Sequence, residues 1–451
     1  MIERDEKMLR PKFHVTGGTG WINDPNGLVL FKGQYHAFYQ YYPHDVHWGP
    51  MHWGHVASSD LLNWERLPIA LCPGEEFDKN GCFSGSAIVW KDKLWVIYTG
   101  FIENEGGETI RQIQCLASSE DGIVFKKHGV VIGEDNLPSD YCPWDFRDPK
   151  IWRYNDEFWC IVATRRKGGR GRILLYRSSD MFKWQFVNDL FGEDSLGAMI
   201  ECPDYVQDKG LLLCGEQFQP NEGKTHLNIH TTRWYTGFIN YQTGRFEAKK
   251  RGIIDYGFDF YAPQTFAYDG AMMGWLQMWD RNIPTEKYGF AGALTVARKL
   301  TVVDDEMRQE PIIKGKVVKE QTVKNEMTDN VKIGVLKIKA ENLTEFSLKI
   351  RRKGDNYALL KLNGDEWVFD RSRAGEQING QEKDEDSLSG IRRMPYNKKK
   401  ITSLTIVLDE FSVEIFEDGK ALSSTVYPSV DADGLELKVK ADSCSYVREE
   451  I

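Results

Sequence analysis

The sequence predicts an all-β protein: a five-bladed β-propeller followed by a C-terminal antiparallel β-sandwich. Three observations lead to this prediction. Short apolar runs end in Gly, Asn or Asp, as strands do. A phrase recurs with a period of about sixty residues, which indicates a repeat architecture. The composition also changes near residue 300, which indicates a second domain.

The repeat defines the first domain. One phrase occurs as ASSDLLNWE, ASSEDGIVF and RSSDMFKWQ. A second phrase opens five units, in the order NDPNGLVLFKGQYHAFYQ, SGSAIVWKDKLWVIYTG, RDPKIWRYNDEFWCIVA, ECPDYVQDKGLLLCGE and APQTFAYDGAMMGWLQ. Sixty residues suit one four-stranded blade with long loops, so five units predict five blades. The first strand of each blade runs beside the central channel, and the residues that open it should therefore lie around one mouth.

The second domain has a different pattern. Of the 14 Trp, only Trp367 lies after residue 300, and strands such as EFSLKIRRK alternate charged and apolar residues. Asp418-Gly419 between two such runs predicts a hairpin. We predict a propeller over residues 1–303, a connector over 304–325 and a sandwich over 326–451. The sandwich could bind carbohydrate, cover a propeller face or mediate a homodimer, and its low aromatic content favours a structural role.

Composition excludes several classes of partner. The chain has 58 Lys and Arg against 67 Asp and Glu, a net charge of −9, so no basic excess is present to hold nucleic acid. No apolar run approaches the roughly 18 residues of a membrane helix, and we expect no membrane partner. The opening MIERDEKMLR lacks the apolar segment of a secretory signal, which predicts a cytoplasmic location. The 8 cysteines form no C-x-x-C pair and are expected to be reduced and buried.

Three carboxylates open repeat-equivalent strands. Asp24 and Asp148 directly precede a proline, and Glu201 lies two places before one. Each alone could merely cap a turn, but three at equivalent positions favour a site at the mouth. Trp48 lies in a loop that should reach the same mouth. Carboxylates together with aromatic residues and few cations indicate acid–base or nucleophilic chemistry on a sugar.

The motifs resemble those of a known family. They are WINDPNG (21–27), FSGSA (83–87), FRDPK (146–150) and ECPD (201–204), together with WGPMHWGH (48–55), DFYAPQ (259–264) and SVEIFEDG (412–419). This ordered set, which covers nearly the whole chain, resembles the invertase and sucrose-6-phosphate hydrolase family. That family consists of retaining β-fructosidases with a five-bladed propeller and a C-terminal β-sandwich. The sequence departs from the family pattern in two places, FAGALTVARKL at 290–300 and Phe258, neither of which includes one of the three carboxylates.

The resemblance implies roles for individual residues. Asp24 would be the nucleophile, Glu201 the acid and later the base, and Asp148 a stabiliser of the transition state. The implied substrate-binding residues are Trp21, Asn23, Gln40, Trp48, Phe83, Ser84, Arg147, Cys202, Tyr261 and Trp279. A retaining mechanism needs one ionised and one protonated carboxyl group, and we expect backbone N–H groups around Asn26 and Gly27 to hold Asp24 ionised. Cys202 could instead be a small residue that fills space. Neither a cofactor nor a metal is implied.

Two weaker signals carry competing interpretations. Four histidines, at 44, 47, 52 and 55, share one loop, but without helical spacing they favour hydrogen bonding over a metal site. The run RRKGGRGR at 165–172 is either a solvated hairpin tip or a phosphate site that uses Arg170 and Arg172.

The sequence thus predicts a β-fructofuranosidase. Its substrate would be sucrose, sucrose 6-phosphate or a short fructo-oligosaccharide, cleaved through a covalent fructosyl-enzyme intermediate. A fructosyltransferase would use the same intermediate with a sugar as acceptor. A non-catalytic fructan-binding protein is disfavoured, because binding alone does not require a nucleophile and a proton donor.

Overall fold

The computed structural model describes residues 10–192, 197–219, 227–267, 270–279, 281–380 and 390–451. Within these ranges the chain forms seven β-sheets and four short 3-10 helices. The helices are Glu134–Asn136, Pro143–Asp145, Gln207–Lys209 and Pro284–Tyr288. None of these helices has the length and apolar character that crossing a bilayer requires.

The first five sheets follow one another along the chain as blades I to V. Blade I holds β1 (Gly20–Phe31), β2 (Gln34–Tyr42), β3 (His52–Ser58) and β4 (Glu65–Leu71). Blade II holds β5 (Gly81–Trp90), β6 (Lys93–Glu103), β7 (Thr109–Ser119) and β8 (Lys126–Ile132). Blade III holds β9 (Arg147–Tyr154), β10 (Glu157–Arg165), β11 (Gly171–Ser178) and β12 (Gln185–Phe191). Blade IV holds β13 (Met199–Val206), β14 (Leu211–Gln217), β15 (Thr231–Asn240) and β16 (Arg245–Ile253). Blade V holds β17 (Tyr261–Thr265), β18 (Ala271–Trp275), β20 (Arg298–Val303) and β21 (Glu306–Pro311).

The five blades close into a ring. The first strands contact one another in the order β1, β5, β9, β13, β17 and back to β1. A further strand, β19 (Phe290–Ala291), pairs in parallel with β1 and joins the end of the propeller to its beginning. Apolar side chains fill the spaces between adjacent blades, as Ile97 of blade II and Ile151 of blade III do. Burial of this surface stabilises the ring, and the predicted all-β propeller is confirmed.

The repeated serine phrase forms the turn after the third strand of three blades. There the carboxylates of Asp60, Asp121 and Asp180 each accept hydrogen bonds from backbone N–H groups two and three residues further on. A short acidic side chain that bonds to its own backbone stabilises such turns. In blades I to III, the sixty-residue period of the sequence is therefore the spacing between these equivalent turns.

Two six-stranded sheets form the C-terminal sandwich. One holds β22 (Lys316–Thr322), β33 (Ser443–Glu450), β24 (Gly334–Glu341), β29 (Ile401–Asp409), β30 (Ser412–Glu417) and β31 (Lys420–Thr425). The other holds β23 (Glu326–Asn330), β32 (Gly434–Lys440), β25 (Glu345–Lys353), β26 (Asn356–Asn363), β27 (Glu366–Asp370) and β28 (Ile391–Pro395). Asp418 and Gly419 have φ of 50° and 75° between β30 and β31, as a two-residue hairpin turn requires. The predicted hairpin is confirmed, and Trp367 is fully buried in the sandwich core.

The predicted connector contains strands of both domains, because β21 ends at Pro311 and β22 begins at Lys316. The domain limits at 303 and 325 stay predictions.

A buried ionic network joins the two domains. His14 Nδ1 lies 2.8 Å from Asp409 Oδ2, and His14 Nε2 lies 2.9 Å from Glu414 Oε1. Burial alone would lower the pKa of His14, but its hydrogen bonds to these two carboxylates raise it to about 9.

Candidate active site

A bulge at the same place in each innermost strand shapes the channel mouth. The shifts in strand register fall between Ile22 and Pro25, Phe83 and Gly85, Arg147 and Lys150, Glu201 and Asp204, and Tyr261 and Gln264. Bulges redirect side chains and are common beside active sites. Asp148, Cys202 and Ala262, each directly before a proline, have φ of 64°, 47° and 48°. These strained residues bring the repeat-equivalent side chains to one mouth.

Asp24 receives three side-chain hydrogen bonds. Ser84 Oγ donates to Oδ2 at 2.6 Å, Asn23 Nδ2 donates to Oδ1 at 3.0 Å, and Cys202 Sγ donates to Oδ2 at 3.3 Å. The three partners that the structure gives to the Asp24 carboxylate are thus side chains, and not the backbone N–H groups around Asn26 and Gly27 that we predicted. Burial raises the pKa of Asp24, and the donors from Ser84 and Asn23 oppose that rise.

Asp148 is buried beside Asp24. Its Oδ2 accepts a hydrogen bond from the backbone N–H of Cys202 at 2.9 Å, and its own N–H donates to Thr99 Oγ1 at 3.0 Å. Burial raises the pKa of Asp148; Arg147 opposes this, and the charges of Glu201 and Asp24 add to it. Three carboxyl groups so close together favour a state in which a proton is held among them.

Glu201 is bonded through both carboxylate oxygens. Arg147 donates to Oε1 from Nη2 at 2.7 Å and from Nε at 3.2 Å. Gln217 Nε2 and Tyr261 Oη donate to Oε2 at 2.7 Å and 2.9 Å. Gly215 makes this approach possible, because a Cβ there would lie 2.7 Å from the Tyr261 ring.

Cys202 joins two of the three carboxylates. Its Sγ lies 3.3 Å from Asp24 Oδ2 and 3.6 Å from Asp148 Oδ2. Burial, followed by the charges of these neighbours, raises the pKa of the Cys202 thiol well above its ordinary value, so the group is a neutral donor. Its side-chain contacts are thus with the carboxylates of Asp24 and Asp148.

Two cavities meet at Asp24 and Glu201. The first, of about 340 Å³, is here named the propeller cavity. It is lined by Asn23, Asp24, Gln40, Trp48, Phe83, Ser84, Phe101, Thr109, Gln112, Trp144, Asp145, Arg147, Asp148 and Glu201. The second, of about 930 Å³, is here named the interdomain cavity. It is lined by Trp21, Asn23, Asp24, His47, Trp48, Glu201, Gln217, Tyr261, Trp275, Trp279, Arg281, Asn282, Ile283, Glu286, Asn379 and Gly380.

The structure brings nearly all of the predicted site residues to these cavities. Among them only Cys202, beneath the carboxylates, lines neither. Trp48, 52% exposed, lines both cavities and packs edge-on against Phe83, which stacks on Phe101. Trp279 packs on Tyr261 at 4.8 Å between ring centroids.

Sequence reasoning missed several lining residues. Gln217, which bonds Glu201, ends β14 and has no motif around it. Asn379 and Gly380 come from the sandwich, for which the sequence favours a structural role. No sequence pattern could have indicated Asn379 and Gly380, because they reach the site through a loop with no counterpart in the repeat.

The two weaker signals have local explanations. His47 Nδ1 lies 2.6 Å from Asp45, and His55 bonds His36, so these histidines have separate partners. Across the described part of the chain, no group of three or more His, Cys, Asp or Glu side chains is arranged to hold a metal ion. In the basic loop, Arg172 pairs with Asp189, and neither Arg170 nor Arg172 lines either cavity.

Comparison with known proteins identifies the family. Residues 14–311 match the model of the glycosyl hydrolases family 32 N-terminal domain, and residues 302–450 match the model of the family 32 C-terminal domain. The chain belongs to glycosyl hydrolase family 32. The family predicted from the motifs is confirmed, and with it the assignment of the chain as a glycoside hydrolase.

Individual family 32 proteins resemble the chain over nearly its full length. A sucrose-6-phosphate hydrolase of Escherichia coli is 36% identical over 458 residues, covering 96% of this chain and 93% of that protein. A raffinose invertase of Escherichia coli is 35% identical and covers 95% of this chain and 91% of its own length. The structure of a Bombyx mori β-fructofuranosidase matches with a TM-score of 0.83 at 31% identity, over 98% of this chain and 94% of that one.

Proposed function

We propose that this family 32 enzyme is a retaining β-fructofuranosidase that hydrolyses the terminal β-D-fructosyl bond of sucrose or sucrose 6-phosphate. The observation that carries the proposal is the placement of Asp24 and Glu201 at the junction of two cavities. A bond cleaved between them would have one sugar on each side. The names of the relatives support the substrate class, since they include sucrose-6-phosphate hydrolases and a raffinose invertase.

In this proposal the propeller cavity binds the fructosyl unit. Its volume of about 340 Å³ suits one hexose with water. Asn23, Gln40 and Ser84 offer polar groups for the ring hydroxyls, and Phe83 and Trp48 offer apolar faces for the ring carbons.

The interdomain cavity then binds the leaving group. Trp279 and Tyr261 form an aromatic wall, and Asn282 supplies an amide. At about 930 Å³ the cavity has room for a glucosyl unit, for its 6-phosphate or for a longer chain.

The first step forms a covalent ester. An ionised Asp24 oxygen attacks the anomeric carbon of the fructosyl unit while the bond from that carbon to the leaving oxygen breaks. Protonated Glu201 gives its proton to that oxygen, so the leaving sugar departs as a neutral alcohol. Asp148 stabilises the oxocarbenium-like transition state through sugar hydroxyls without forming a bond to it.

The second step consumes water. Glu201, now ionised, takes a proton from water as the water oxygen attacks the anomeric carbon and the ester bond to Asp24 breaks. Fructose leaves with retained configuration, and both carboxyl groups return to their starting states. The hydrogen bonds from Arg147, Gln217 and Tyr261 hold the Glu201 carboxyl group in one position for both steps.

Location and assembly belong to the same proposal. We place the enzyme in the cytoplasm, a location supported by its eight cysteines, all of which are unpaired. A homodimer stays a prediction, which the mass measured by light scattering would test.

The first test is product release. Fructose and glucose are quantified separately from sucrose, sucrose 6-phosphate, and short inulin-type and levan-type oligomers at equal concentrations. Equal amounts of fructose and of glucose or glucose 6-phosphate support hydrolysis, and the fastest substrate identifies the leaving group. Glucose in excess of fructose would indicate transfer to sugars, and no release from any substrate would overturn the proposal.

The two carboxylate roles are separated by leaving-group chemistry. Asp24→Ala should lose ~10³-fold or more in kcat on every fructoside, because no nucleophile remains. Glu201→Ala should lose as much on sucrose but form the intermediate readily from an aryl fructoside, whose leaving group needs no proton. Equal losses by both variants on the aryl substrate would contradict these roles, and circular dichroism checks that both variants fold.

A further inference from the structure

Four side chains of alternating charge lead from the protein surface to Glu201. Arg165 Nε lies 2.5 Å from Asp145 Oδ2, and Arg147 Nη1 lies 3.3 Å from Asp145 Oδ1. Arg147 Nη2 in turn lies 2.7 Å from Glu201 Oε1. We name this series, Arg165, Asp145, Arg147 and Glu201, the charge chain.

The backbone holds the outer half of the charge chain in place. Arg165 ends β10, and its carbonyl oxygen accepts a hydrogen bond from the N–H of Cys142 at 3.0 Å. The N–H of Lys167 donates to the carbonyl oxygen of Asp140 at 2.8 Å. These bonds fix the basic loop against the segment that carries Asp145, so Arg165 and Asp145 are held beside each other. The basic run at 165–172 thus contributes one cation, Arg165, that pairs with Asp145 beside the site.

Arg147 is shared among carboxylates. It bonds Glu201 and Asp145, and its Nε lies 3.9 Å from Asp148 Oδ2. An arginine beside a carboxylate favours the ionised form of that carboxylate. The negative charge of Asp145, which lies on the side of Arg147 away from Glu201, partly cancels the positive charge that Arg147 presents to Glu201.

We propose that Asp145 and Arg165 are positioning residues that set how strongly Arg147 favours the ionised form of Glu201. The inference rests on the proposed function, in which Glu201 must hold a proton in the first step and release it before the second. Asp145 weakens the influence of Arg147 on Glu201. Arg165, by neutralising part of the Asp145 charge, limits that weakening.

The other groups that face this pair stay constant in the test. Asp24, Asp148 and the neutral thiol of Cys202 lie on the channel side, and the Tyr261 hydroxyl lies against Glu201 Oε2. None of them contacts Asp145 or Arg165 through a hydrogen bond given by the structure. Replacement of the two outer residues changes the charge behind Arg147, together with the surroundings of the Cys142 thiol beside Arg165 and the wall of the propeller cavity at Asp145.

The charge chain predicts opposite signs for two substitutions. Asp145→Asn removes the offsetting charge, and the basic limb of the kcat/KM profile, which reports loss of the proton needed in the first step, should move to lower pH by about 0.5–1 unit. Arg165→Gln strengthens the offset and should move the same limb to higher pH. Its shift should be smaller, because the Arg165 side chain is 42% exposed and solvent screens it. The double variant should lie between the two.

The experiment records kcat/KM against pH on the best substrate of the wild-type enzyme. The matched control is Arg166→Gln. Arg166 is 47% exposed and pairs with Asp189 instead of Asp145, so its replacement should leave the limb unmoved. Shifts of the same sign, or an equal shift in the control, would overturn the inference. Thermal unfolding of each variant shows that it is folded. Wild-type enzyme that cleaves no fructoside would defeat the proposed function itself, a result distinct from an active enzyme whose limb does not move.

Discussion

The two cavities that meet at Asp24 and Glu201 are built in different ways. The propeller cavity takes its walls from strands and bulges of blades I to IV and from the segments directly before and after them. The interdomain cavity adds the stretch around Arg281 and Glu286, which lies between strands, and two residues of the sandwich. These strands are held by the hydrogen-bond ladders of their blades, whereas loops vary in length and shape. We therefore call the propeller cavity the rigid side of the site. We call the interdomain cavity the adjustable side, because changes in its loops can alter specificity.

The sandwich is tied directly to the adjustable side. The N–H of Asn282 donates to the Asn379 carbonyl oxygen at 3.1 Å, and the N–H of Asn379 donates to Asn282 Oδ1 at 2.6 Å. A β-bridge joins Arg281 to Gly380 beside them. The second domain thus helps to define the interdomain cavity, where we propose that the leaving group binds.

The largest expected effect lies on the rigid side. Asp148→Asn should lower kcat/KM by ~10³-fold on every fructoside, because in the proposed mechanism Asp148 acts on the fructosyl unit that all of them share. Steady-state kinetics on sucrose and on methyl β-fructofuranoside measures this. Asp156→Asn, an exposed carboxylate in a turn of blade III, is the control and should be neutral. A loss in kcat/KM that depends strongly on the leaving group would contradict the assignment of the propeller cavity to the fructosyl unit.

A smaller and selective effect is expected on the adjustable side. Trp279→Ala removes an aromatic wall and should reduce kcat/KM on sucrose by ~10-fold, mostly through KM. Methyl β-fructofuranoside, whose leaving group barely enters the interdomain cavity, should lose less than half as much. The ratio of the two losses is the quantity to measure, and a ratio near one would argue against this placement of the leaving group.

The third effect concerns the docking of the sandwich on the propeller. His14, with a folded pKa of about 9 against an ordinary value of 6.5, stabilises the fold fully below pH 6.5, and this stabilisation is lost as the pH rises through 9. The loss amounts to about 3 kcal/mol in the free energy of unfolding, or a few degrees in Tm. Calorimetry between pH 6 and 10 should show this decline.

Two variants distinguish this source of pH dependence. In His14→Gln the part of the decline between pH 6.5 and 9 should vanish, because no charge remains between Asp409 and Glu414. His47→Gln, which replaces a largely exposed histidine, should retain it. An identical decline in His14→Gln and wild type would show that docking does not depend on the imidazolium.

The sequence predicted the rigid side of the site and missed much of the other. Asp24, Asp148 and Glu201 were found because a repeat places them at equivalent bulges. The hydrogen bonds that these carboxylates accept were not predicted, because donors such as Ser84 and Cys202 lie on other blades than the Asp24 they bond. Asn379 could not be found, because no periodicity connects a sandwich loop to a propeller mouth. The adjustable side depends on tertiary contacts of loops, which local patterns do not encode.

The pairing of β19 with β1 has a consequence for synthesis on the ribosome. Asp24, the proposed nucleophile, lies on β1, and on its channel side β1 pairs at Gly20 and Trp21 with Phe290–Ala291, which follows the first four blades in the chain. Until that segment is made, the nascent chain carries an unpaired strand edge, the kind of surface that invites mispairing with other chains. Such long-range closure is also slow to form. The ring that carries Asp24 and Glu201 therefore cannot close through this pairing until Phe290–Ala291 has been made.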